Sequence, residues 1–143
     1  YGIAGARIGY GIGTKELISE FDKIRNHFGN SLLSQVAAIA AIKDQRYLSG
    51  VVKKIALGRE KIYQIAQSNG LSAIPSATNF VAIDCGKDGK FANQIMNGLL
   101  EAKIFVRKPI VAPLDRTIRV TVGRDEEIDL LKNVLPEVLK ALR

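Results

Sequence analysis

Tryptophan is missing from this 143-residue chain, aromatic residues make up only 6% of it, and cysteine, histidine and methionine occur once each. The lone Cys85 can close no internal disulfide and build no cysteine-based metal site within one chain, which fits a reducing, cytoplasmic setting. His27 is the only imidazole, so a histidine-rich metal centre is excluded. A Ser-His-Asp triad would depend on this one loop residue, and a lone loop histidine is usually solvated or packed. There is no apolar run of about 18 residues and no basic-apolar-small leader, so neither a membrane span nor a secretory signal is expected. With so few aromatics and no long lysine or arginine block, the stacking platforms and charged tails of nucleic-acid binders are lacking as well.

What is present is a hydrophobic content of 47% and a formal charge of +7. The first suffices for one compact domain, or a domain with a remnant of another. The second attracts anions, and its distribution as single arginines in strands and turns suits small anionic ligands better than a polymer. The chain opens at Tyr1 and runs at once into a glycine-rich apolar stretch, unlike the polar, frayed start of most proteins, and so reads as a piece of a longer one.

Residues 3–12 are short, apolar and glycine-rich, and predict a buried strand. Thr14 is placed to cap a helix carrying Leu17, Ile18 and Phe21, ending near the loop over 25–30, where Gly29 and Asn30 are breakers. A second helix from Ser31 is apolar nearly all round, which predicts burial. Helical spacing then runs from about residue 46 to the stop at Asn69-Gly70, a length suited to a helix leaving one domain for the next. This puts a domain boundary near residue 45, dividing the chain into 1–45 and 46–143. Beyond it the pattern predicts strands over 71–74 and 78–84, a helix over 87–102, strands over 104–107 and 117–122, and a closing helix over 124–142. That order describes an α+β layer with helices on one face of a sheet.

Alternation in the 117–122 strand sets Ile118, Val120 and Val122 on one face and Thr117, Arg119 and Thr121 on the other. Arg119 is then either a carboxylate fork on a rigid strand or half of a surface ion pair. Arg107 ends the neighbouring strand with Lys108 directly after it; the two could receive a second anionic group or be solvated. Arg7, among apolar residues and glycines, calls for an anionic partner, either a ligand or a protein carboxylate. Asn79 is a site-facing amide or an ordinary strand polar residue.

Taken together, Tyr1-Gly2-Ile3-Ala4-Gly5-Ala6-Arg7-Ile8-Gly9, Thr78-Asn79-Phe80-Val81, Ile104-Phe105-Val106-Arg107 and Ile118-Arg119-Val120-Thr121-Val122-Gly123 resemble fold-type I pyridoxal-phosphate-dependent aminotransferases, especially the histidinol-phosphate aminotransferase group. The resemblance covers essentially the whole chain. It implies an α/β parent fold, with 1–45 the end of the large cofactor-binding domain and 46–143 the small C-terminal α+β domain. The Schiff-base lysine would lie two positions before Tyr1, so this chain alone is expected to be inactive. By the same resemblance Arg7 would bind the cofactor phosphate, Arg119 the substrate α-carboxylate and Arg107 a distal anionic group. Asn79 would stand near the small-domain side of the site. The parent would be a homodimer moving an amino group between an amino acid and a 2-oxo acid or related carbonyl. His27-Phe28-Gly29-Asn30-Ser31, where many relatives have Pro-Phe-Asn-Val-Asn, and the loop over 109–116 depart from the family pattern, so histidinol phosphate is one candidate substrate among several. A decarboxylase on the same scaffold and a stand-alone amino-acid-binding module are the alternatives.

Overall fold

In the computed structural model, which describes residues 1–142, the chain divides into two compact units, Tyr1–Val51 and Val52–Arg143. The first holds helices α1 (Lys15–Ile24) and α2 (Leu32–Lys43), together with the start of α3 (Gln45–Ser68). Both early helices begin on hydroxyl caps. The Thr14 side chain accepts from the amide of Leu17 at 3.4 Å, and that of Ser31 from the amide of Ser34 at 3.1 Å, each satisfying an amide that the first helical turn would leave unpaired.

The strand expected over residues 3–12 does not form. Ala4–Ala6 makes a short 3-10 turn instead, closed by the Ala6 amide on the Ile3 carbonyl at 2.9 Å, and no strand lies within Tyr1–Val51 for this segment to pair with. Without a ladder to satisfy its backbone, an apolar glycine-rich run gains nothing from extending. The expectation that α2 is buried also fails: none of its residues is buried, and Leu33 stays 82% exposed. An apolar surface all round a helix buries itself only where other elements supply cover on several sides.

The second unit adds β1 (Ser72–Ile74), β2 (Phe80–Asp84), α4 (Gly89–Glu101), β3 (Thr117–Thr121) and α5 (Asp125–Ala141). The strands form an antiparallel sheet in the order β1-β2-β3, with Ala73 opposite Ile83 and Val81 opposite Val120. Alternation places Val81, Ile83, Ile118 and Val120 on one face. They form a single buried cluster with Ile62 and Ile65 of α3, Ile95 and Leu99 of α4, and Leu131 and Leu135 of α5. Gly58 lets α3 approach closely, since a Cβ there would collide with Val122 Cγ1.

Helices α3 and α4 end in the same way. After α3, Gly70 takes φ 70 while its amide bonds the Gln67 carbonyl and that of Leu71 bonds Ala66; after α4, Lys103 takes φ 63, its amide bonding Leu100 and that of Ile104 bonding Leu99. This left-handed cap explains why the strand expected over 104–107 is reduced to a single bridge, Arg107 opposite Arg119. The Ile104 amide is committed to the helix end and cannot enter the ladder. Among the described residues no helix is long and apolar enough to cross a membrane.

Candidate functional site

The sheet face turned away from the helices carries Phe80 and Ala82 of β2 and Arg119 and Thr121 of β3, by the register Phe80 opposite Thr121 and Ala82 opposite Arg119. On the outer side of β3, Arg107 and Arg119 exchange both backbone bonds, the Arg107 amide donating to the Arg119 carbonyl at 3.1 Å and the Arg119 amide to the Arg107 carbonyl at 2.6 Å. Residues paired in this way have Cα atoms about 5.5 Å apart and side chains on the same face. The structure therefore sets two arginines side by side, where like charges directly opposite one another are unfavourable.

Among the described residues no ion pair cancels these charges. The ion pairs of this unit are Arg116 with Asp84 at 2.9 Å, Lys61 with Asp125 at 2.6 Å and Arg124 with Glu127 at 3.4 Å, and among the described residues neither Arg107 nor Arg119 has a carboxylate partner. The Arg119 guanidinium lies over a ring, its Cζ 4.6 Å from the centroid of Phe80. Phe80 is itself held at the head of β2, where its carbonyl accepts from the hydroxyls of Ser76 at 2.7 Å and Thr78 at 3.3 Å.

Lys108, which sequence order makes the companion of Arg107, turns to the Pro109 carbonyl at 3.3 Å and lines a separate open hollow with Asp88, Lys90 and Asp115. Its place beside Arg107 is taken by Arg119, twelve positions further along the chain. Asn79 precedes β2; its carbonyl accepts from the Val122 amide at 2.9 Å and its side chain is exposed.

Arg7 belongs to the first unit, where it follows the 3-10 turn with φ 50. A non-glycine residue in this left-handed region costs of order 1–2 kcal/mol, and such positions concentrate at ligand-holding sites. The charge is exposed, not buried in a strand, and Nη1 donates to the Ala4 carbonyl at 3.3 Å. Among the described residues the other guanidinium donors have no hydrogen-bond partner, and the edge of such a fork fits a phosphate. His27 lies exposed in the loop after α1. Cys85 is buried, and burial pushes its thiol up to about 11, which leaves it inert as a nucleophile near neutral pH.

Phe80 was the contributor that single-strand reasoning overlooked. Its relation to Arg119 is diagonal across two strands, and only the register reveals it.

Residues 1–135 match the family Aminotransferase class I and II, and the chain belongs to that family. Within it the chain is similar to histidinol-phosphate aminotransferases. It is 38% identical over 140 residues to the enzyme of Geobacillus sp. (strain WCH70), covering 98% of this chain and 38% of that one. With the enzyme of Bacillus subtilis (strain 168) the identity is 35% over 139 residues, again covering 38% of the relative. The crystal structure of histidinol-phosphate aminotransferase from Sinorhizobium meliloti in complex with pyridoxal-5'-phosphate superposes with a TM-score of 0.95 at 53% identity, covering all of this chain and 39% of that one. The chain thus spans under two-fifths of the length of these relatives. The fold is that of a part of fold-type I aminotransferases.

Proposed function

We propose that the protein to which this chain contributes is a pyridoxal-phosphate-dependent aminotransferase, moving an amino group between an amino acid such as glutamate and a 2-oxo acid or related carbonyl. The carrying observation is the pair Arg107 and Arg119, side by side on one sheet face with no carboxylate partner among the described residues. Two adjacent, uncompensated guanidinium groups favour a ligand with a carboxylate and a second anionic group, or with one doubly charged group. The names of the relatives make histidinol phosphate a candidate of that kind.

In this reading Arg119 clamps the substrate α-carboxylate and Arg107 holds a distal anionic group, while Asn79 borders the site. Arg7 takes the cofactor phosphate, a role that its exposed, largely unbonded guanidinium fits. Bound pyridoxal phosphate supplies the electron sink for removal of the Cα proton. The task of the arginines is orientation: a substrate held at two points reaches the reacting geometry with less entropy left to lose. Residues 1–45 are assigned to the end of a large domain and 46–143 to a small one, in a cytoplasmic homodimer. No lysine of this chain is assigned as the Schiff-base residue, and the 143 residues alone are expected to be inactive.

The test is amino transfer by the whole protein loaded with pyridoxal phosphate. Arg119→Ala is expected to lower kcat/KM for glutamate by about 2–5 kcal/mol, the cost of truncating one side of a desolvated charge pair. Unchanged kinetics would reject the role given to Arg119.

A further inference from the structure

We infer that Phe80 is a positioning residue for Arg119, holding the guanidinium by its flat face so that its N–H edge and its whole charge remain available to a substrate anion. The inference rests on the reading of Arg119 as a substrate clamp.

Arg119 sits in an awkward place. Arg107 is directly opposite on one side, and on the other stands Ala82, whose methyl group is too small to brace a long side chain. A flexible arginine beside a like charge swings away unless something restrains it. A carboxylate would restrain it but cancel the charge and occupy the donors that a ligand needs. A carbonyl would leave the charge but still occupy donors. An aromatic face does neither, because the ring quadrupole attracts the cation through its plane while all five N–H groups point outward from the rim. Phe80 meets the geometric requirement, being diagonal to Arg119 on the same sheet face with its ring centroid 4.6 Å from Cζ. It is also firmly seated, since the Ser76 and Thr78 hydroxyls anchor its carbonyl and Ser76 is in turn held by its amide on the Tyr63 hydroxyl at 2.8 Å.

The deciding experiment is an equilibrium titration of the whole, cofactor-loaded protein with glutarate, which offers a carboxylate to each arginine and has no amino group to react. Phe80→Leu keeps the bulk and loses the quadrupole, and is expected to weaken binding roughly three- to tenfold; Phe80→Tyr should restore it. The loss should vanish when Arg119→Ala is already present, because the ring then has no cation to hold. Equal losses with and without Arg119 would make Phe80 a structural residue and overturn the inference, as would wild-type affinity in Phe80→Leu. Should Phe80→Leu fail to fold, pentafluorophenylalanine at position 80 preserves the shape and reverses the quadrupole; undiminished affinity there would be equally fatal. If Arg119→Ala itself leaves glutarate binding unchanged, the clamp reading fails first. A strong Arg119→Ala effect with a silent Phe80→Leu would sink the positioning role alone.

Discussion

The two units of this chain use similar local chemistry and reach opposite states of burial. In Tyr1–Val51, α1 and α2 are well capped and rich in leucine, isoleucine and phenylalanine, yet no residue of that unit is buried. In Val52–Arg143, helices with one apolar and one polar face enclose a core that holds, among the described residues, sixteen buried apolar side chains against a three-stranded sheet. Capping and spacing are local properties and suffice to start a helix, whereas burial requires a second layer with a matching face. The sheet provides that layer in the second unit, and its opposite face is thereby left to carry charge.

The sharpest way to break this contrast is to truncate one apolar side chain in each unit. Ile95 in α4 is fully buried, so Ile95→Ala should cost about 2–5 kcal/mol in chemical denaturation. Leu33 in α2 is 82% exposed in the 143-residue chain, and Leu33→Ala in that chain should change its stability by no more than roughly 0.5 kcal/mol. Similar losses at both positions would mean that the units do not differ in this way.

A smaller effect follows from Cys85. Its folded-state pKa of about 11 lies above the ordinary value of 9.0, so its contribution is complete below pH 9 and is lost as pH rises through 11. The parent should therefore lose up to about 2 kcal/mol more across that window than Cys85→Ala does. Parallel pH curves for the two proteins would show that the thiol is not the burdened group.

The smallest predicted effect compares the two helix ends. Gly70 and Lys103 occupy equivalent left-handed positions, and only the lysine has a Cβ to resent it. Lys103→Gly should stabilise by about 0.5–1 kcal/mol and raise Tm, while Gly70→Ala should destabilise by a similar amount. Equal responses would imply that the two caps are strained to different degrees by their surroundings.

Much of the second unit was legible in the residues. Strand alternation, the stop at Asn69-Gly70 and the acidic first turn of α5 each correspond to an element within two residues of its expected limits. Thr14 and Ser31 marked their helices equally well. The failures share a cause: residues 3–12 and 104–107 have strand-like composition, but a strand exists only through its partner, and neither segment has a full ladder. The site shows the same division. Arg7, Arg107, Arg119 and Asn79 stand out from the sequence because charges and amides in apolar strands invite an explanation. That Arg107 faces Arg119 and not Lys108, and that Phe80 underlies Arg119, depends on register, which no single strand encodes.

Whether Arg107 and Arg119 act as one seat is tested most directly by a double-mutant cycle. Glutarate affinity would be measured in the whole protein for Arg107→Ala, Arg119→Ala and the pair. Joint action on one anion predicts losses that fail to add, with a coupling of about 0.5–3 kcal/mol. Strictly additive losses, or none, would contradict it.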